Sequence, residues 1–218
     1  MDGASQTFLI YSSFLVIVPF LIALIRFKKM EQIWRSLALL IFFDFSVEAI
    51  GHVLYFLKIS NHFLWPVFIP VEFALLARIY QSEFKKMAIG RFIPIVTILF
   101  TTYVIADSLM APADDLSAIP HFAEGVLILL LVMCYYYKNL NSLIETRLEY
   151  QPMFWLSTGL FIYFSANSVI FIFSNYIQML SLRFFNLIWF THAIFNMLLY
   201  IFYTLTVCLI PKKLNYNI

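Results

Sequence analysis

Three side chains able to carry protons or hold a cation, Asp44, Glu48 and His52, follow one another at intervals of four residues inside a strongly apolar stretch. On a helix, successive members of such a series differ by about 40°, so the three project from one face over roughly 12 Å. Glu72 lies in the middle of a second apolar stretch, Asn167 in a third, and His192 and Asn196 share one helical face of a fourth. Five acids fall within apolar stretches (Asp44, Glu48, Glu72, Asp107 and Glu124) against two histidines and no lysine or arginine well inside them. Each ionisable group costs about 2.5 to 3.5 kcal/mol at the centre of a membrane helix. Two imidazoles cannot neutralise five carboxylates. Either several carboxyls stay protonated, or the site holds a cation, a metal or a cationic ligand.

The residues expected to bind a ligand or couple to protons are therefore Asp44, Glu48, Glu72, Asn167, His192 and Asn196. A metal alternative uses His52, His192 and Glu48, a two-histidine, one-carboxylate set suited to zinc or another cation. The plainer alternative is that Glu48 and Glu72, protonated, hydrogen-bond to Asn167, Asn196 and His192 as interhelical glue. Asp107 and Glu124 lie nearer span ends, where hydration is easier, and weigh less. His62 and His121 are expected at the outer surface, solvated. Trp65, Trp155 and Trp189 fall near span ends and read as an interfacial belt. Pro70 removes a backbone bond and kinks its helix beside Glu72. No cofactor is expected beyond such a cation. Retinal is excluded, because a Schiff base needs a buried lysine and all eight lysines lie in loops or at span ends.

These residues sit in a chain of 218 residues that is 63% hydrophobic, 19% aromatic and only 12% charged, with a mean hydropathy of +0.89. Soluble domains carry about 25% charged residues, so lipid is the expected solvent. A net charge of +2 and five glycines offer neither a nucleic-acid footprint nor a phosphate-cradling loop. Cys134 and Cys208 lie in apolar runs and read as small packing residues.

Seven stretches are long enough to cross a hydrocarbon core of about 30 Å. They run approximately over 7–27, 36–57, 63–80, 92–110, 122–138, 153–175 and 186–210. Each must be helical, because hydrocarbon offers backbone groups no other partner. Twelve of the fourteen basic residues fall on one side of these spans, with only Lys58 and Arg183 opposite. The positive-inside rule places the N-terminus outside and the C-terminus in the cytoplasm, in the cell (inner) membrane. The first span lacks a basic leader and a cleavage site, so it is expected to be retained. Loops and the tail "PKKLNYNI" are too short for an output domain, and 1–218 reads as one seven-helix membrane domain.

The halves resemble each other. At an offset near 119, "FSVEAIGHVLYFL" lies over "FSANSVIFIFSNY" and Glu48 falls on Asn167; in the next span Glu72 falls opposite His192. The expected fold is all-α with a parallel 3+1+3 repeat: one unit over about 7–80, a linker helix over about 92–110, and a second unit over about 122–210.

That plan resembles the SWEET and PQ-loop transporters and the broader seven-helix transporter, opsin and receptor group, in architecture only; no proline-glutamine motif is present. The phrases "PVEFALLARIY", "FWLSTGLFIYFSANSVIFI" and "IWFTHAIFNMLLYIFY" resemble uncharacterised bacterial seven-helix integral membrane proteins, whose pattern would map onto Glu72, Ser165, Asn167, His192 and Asn196. The general shape is also similar to seven-helix sensor regions that precede histidine kinases. The metal set resembles that of the alkaline ceramidases, although "HAIFN" stands where that family has a second histidine and Glu48 replaces its helix-2 serine. What these resemblances imply is a receptor or sensor binding a small or lipid-like ligand and signalling through a cytoplasmic partner. The alternatives are a proton-coupled small-molecule transporter and a metal-dependent intramembrane lipid hydrolase, with an enzyme not the leading expectation.

The charge asymmetry is directly testable. A green fluorescent protein fused to the C-terminus should fluoresce, while alkaline phosphatase fused at the same point should stay inactive. The reverse pattern would invert the topology.

Overall fold

The computed structural model describes residues 8, 11–110, 118–141, 147–178 and 182–211, and every regular element among them is helical. Thr7, Lys212 and Lys213 lie outside the described residues. The helices are α1 (Ile17–Arg26, flanked by 3-10 turns Phe14–Val16 and Phe27–Lys29), α2 (Gln32–Phe56), α3 (Trp65–Glu83), α4 (Ile89–Met110), α5 (Ala118–Asn141), α6 (Pro152–Gln178) and α7 (Leu182–Leu209). Seven helical segments among the described residues are long and apolar enough to span a membrane.

Several helices outrun the expected spans. α2 starts at Gln32 rather than Ser36, α5 at Ala118 rather than Phe122, and α7 at Leu182 rather than Asn186. Hydropathy ends where polar residues begin, but a helix continues through them as long as its backbone is satisfied. The added turn of α2 carries Arg35, whose guanidinium lies 5.6 Å over the Phe27 ring. α2 ends in a left-handed residue, Lys58 (φ 58°). The Lys58 amide bonds the Tyr55 carbonyl and the Ile59 amide that of Leu54, the paired bonds of a Schellman motif.

Six helices form a closed ring in which each packs on the next in the order α1, α2, α3, α5, α6, α7 and back to α1, while α4 leans on α3 from outside. Aliphatic side chains such as Leu24, Ile25, Ile98, Leu99, Leu109 and Leu140 cover the outer surface. Hydroxyls that face hydrocarbon return to their own helix: Thr97, Thr102, Thr191 and Thr204 each donate to the carbonyl four residues back.

Polar ties cross most seams of the ring. Arg26 of α1 donates to the carbonyls of Cys208 and Ile210 at the end of α7. Lys138 of α5 meets Glu83 of α3 at 2.6 Å, and Tyr136 of α5 pairs with Thr158 of α6 at 2.9 Å. Across the middle, Tyr80 of α3 and Ser157 of α6 share a buried bond of 2.9 Å.

The seam between α6 and α7 depends on Gly159. A Cβ there would lie 2.5 Å from the Cβ of Phe202, a backbone approach that only glycine permits. Gly159→Ala should lower stability by about 1 to 3 kcal/mol, the usual cost of overpacking. Thermal melting in detergent reads this, and an unchanged Tm would mean that α6 and α7 lie further apart.

Candidate functional site

The ring encloses a cavity of about 130 Å³. Four carboxylic side chains line it: Asp44 and Glu48 from α2, Glu72 from α3 and Glu124 from α5. His192, Asn196 and Tyr200 face it from α7, and Tyr163 from α6. The lining extends to Gly51, Asn61 and Leu64, at the end of the bundle that holds the α2–α3 connection, and Asn61 there is exposed. Toward the other end the helices close. Leu76 and Tyr80 follow Glu72 by one and two turns, Tyr203 follows Tyr200, and all three are fully buried.

Local helix geometry explains which side chains arrive. Asp44 and Glu48, one turn apart, both reach the cavity, whereas His52 does not line it. The drift of about 40° per four residues doubles over the eight residues from Asp44 to His52 and carries the imidazole toward α1. There Ser13 Oγ meets His52 Nε2 at 2.6 Å and the Phe14 ring stacks on it at 5.2 Å. The expected set of His52, His192 and Glu48 is therefore not assembled, and among the described residues no group of three or more His, Cys, Asp or Glu side chains is placed to hold a metal.

His192 is held by Asn167. Its Nδ1 lies 2.7 Å from Asn167 Oδ1, while Asn167 Nδ2 donates to the Tyr163 carbonyl at 2.9 Å. Because the amide nitrogen is committed to a carbonyl, its oxygen must accept, so Nδ1 carries the imidazole proton and Nε2 the lone pair. Asn167 is buried and supports the cavity through His192. On the opposite wall Tyr200 donates to Glu48 Oε1 at 3.3 Å and accepts from Asn196 Nδ2 at 3.2 Å.

Two expectations are corrected here. His121, expected at the solvated surface, is only 7% exposed; its ring stacks on Phe171 at 4.3 Å and meets the Trp65 edge at 4.8 Å. Glu124, expected to hydrate easily, is only 1% exposed and lines the cavity. Both follow from the earlier start of α5, which makes His121, Glu124, Ile128, Leu131 and Tyr135 one inward stripe at helical spacing. That spacing was present in the sequence. Trp65 likewise lines the cavity instead of serving only as a belt residue, and Tyr163 and Tyr200 are site residues that sequence reasoning missed. Asp107 stands apart from the cavity lining.

Chemically the cavity is rich in acceptors. Asp44 Oδ1 and Glu124 Oε1, and with them His121 Nε2, are buried and have no hydrogen-bond partner among the described residues. Buried polar atoms are satisfied in nearly all folded proteins, so such a group marks a place for water or a ligand. Compared with known protein families, with curated proteins and with solved structures, the chain matches none.

Proposed function

We propose that the chain is a receptor- or sensor-like integral membrane protein that binds a small ligand in the acidic cavity from the outer side and passes occupancy to a cytoplasmic partner. One observation carries this reading: four carboxyl side chains from three helices line one cavity that reaches exposed Asn61 at one end, while buried tyrosines pack the other. Polar glue alone would leave no orphaned oxygens, because each group would be spent on a neighbouring helix. The bias of basic residues supports placing the Asn61 end outward, since the α2–α3 connection lies on the side poor in lysine and arginine.

Proton-coupled transport is the second reading, and what supports it is that some buried positions coincide between the halves. At an offset of 119, Leu37, Ala38, Leu40 and Ile41 of α2 fall on Leu156, Ser157, Gly159 and Leu160 of α6, all buried. Between α3 and α7 an offset of 123 sets Pro70, Leu76, Ala77, Tyr80 and Phe84 on Ala193, Leu199, Tyr200, Tyr203 and Val207, again all buried, although an offset of 130 also brings buried residues together, Ile69, Pro70 and Phe73 on Leu199, Tyr200 and Tyr203 among them. The 123 register puts Glu72 on Phe195, three residues from its expected mate His192. The ring order, with α4 outside, maps α1 to α3 onto α5 to α7, and a site between parallel units is a transporter plan.

A repeat in the 123 register would account for one unpaired hydroxyl among the described residues. In that register Tyr203 would take the place of Tyr80 and Ala38 that of Ser157, and the Tyr203 hydroxyl has no partner among the described residues. Tyr80→Phe should therefore cost about 0.6 to 2 kcal/mol, the range for interhelical hydrogen bonds in membranes. Tyr203→Phe should cost nothing, and Ala38→Ser should stabilise. Equal losses for the two tyrosines in thermal melting would reject this register.

For the function itself, amines, alcohols and carboxylates of a few heavy atoms should be screened by thermal shift on the full chain in nanodiscs. At least one class should stabilise the wild type, by about 2.7 kcal/mol at a hundred times Kd, and fail to stabilise the Glu48→Gln, Glu72→Gln variant. No stabilisation by any class would reject ligand binding. Uptake of the binder into proteoliposomes under a pH gradient would select transport over sensing.

A further inference from the structure

We infer that the ligand is a small aliphatic ammonium ion, a primary or secondary amine of about four to six heavy atoms. The inference rests on the ligand-binding reading above and names the chemical class of its ligand.

Four carboxyl groups line the cavity, and the donors beside them, such as Tyr163, Trp65 and the His121 ring, are neutral side chains that bring no charge to match. Asp44 is 6% exposed and Glu124 1%; both line the cavity, and each has a buried carboxyl oxygen without a partner among the described residues. Glu72, 5% exposed, adds a third buried carboxyl group. His192 contributes the lone pair of Nε2, because Asn167 fixes its proton on Nδ1. An alcohol brings one donor and a carboxylate none, whereas a primary ammonium brings three donors and a positive charge. Among the described residues no lysine or arginine lines the cavity, so a cationic ligand would supply the counter-charge that the acids otherwise lack.

The remaining surface suits the rest of such a molecule. Trp65, Phe68, Phe171 and Tyr163 present aromatic surface, on which a cation rests favourably and an alkyl chain packs. Size sets the upper bound: an apolar cavity of about 150 Å³ holds benzene, and this one is about 130 Å³. A quaternary ammonium would satisfy the charge but leave both orphaned oxygens without a donor, which separates the proposal from one based on charge and aromatic contact alone.

The test is calorimetric titration of the full chain in nanodiscs with butylammonium chloride, 1-butanol, butyrate and tetramethylammonium chloride. Butylammonium should bind saturably at one site, with 1-butanol and tetramethylammonium at least about tenfold weaker, as expected when hydrogen bonds to a charged group are lost. Asp44→Asn and Glu124→Gln should each weaken butylammonium by about tenfold or more while melting near the wild-type temperature. If a variant fails to fold, the order of the four probes on the wild type still decides. Butanol or butyrate binding as well as butylammonium would overturn the ammonium assignment and leave the ligand-binding reading standing. Equal binding of tetramethylammonium would overturn the role given to the orphaned oxygens. Saturable binding by none of the four would overturn the assignment, and failure of the wider thermal-shift screen as well would overturn the reading beneath it.

Discussion

Four carboxyl groups share a space that no lysine or arginine enters, inside a bundle whose outer surface is hydrocarbon. That constraint organises the rest of the structure. Lipid cannot solvate these groups, so α2, α3 and α5 must turn them inward, and the ring must close around them with α6 and α7. The ring then needs its own fastening. Helices in lipid gain little from the hydrophobic effect against one another, so close approach at Gly159 and hydrogen bonds such as Tyr80 to Ser157 hold the seams. Arg26 and Lys138, the basic groups that do contribute ties, act on carbonyls and on Glu83 at the far end of the bundle, away from the cavity.

Much of this was legible in the sequence because membrane solvent makes composition decisive. A run of apolar residues long enough to cross a bilayer has little choice but to be a helix, so all seven spans could be read. Their ends could not, since hydropathy reports depth in lipid and says little of where a helix stops. Asp44, Glu48 and Glu72 were legible as site residues because a carboxyl group amid leucine and phenylalanine is conspicuous. Glu124 and His121 were hidden by the same reasoning, being close enough to a span end to look hydrated. Tyr163, Tyr200 and Trp65 were hidden by abundance, as aromatics make up 19% of the chain and only tertiary structure shows which of them face inward.

His52 teaches a different lesson. It shares a helical series with Asp44 and Glu48, and one further turn of drift was enough to hand it to Ser13 and Phe14. The pairing of Asn167 with His192 is the converse case, in which two residues flagged separately prove to be one unit. The amide decides which ring nitrogen holds the proton, and through it the kind of partner that the imidazole can accept.

The position of α4 bears on how such a chain can be made. Spans enter the membrane in order of synthesis, and α4 is at ease there alone: its hydroxyls bond its own backbone and it leans on a single neighbour. α2 and α3 are not, because the walls that shelter their carboxyl groups arrive only with α5, α6 and α7. A chain cut before α7 would keep five of the six ring helices and leave the seam between α6 and α1 open.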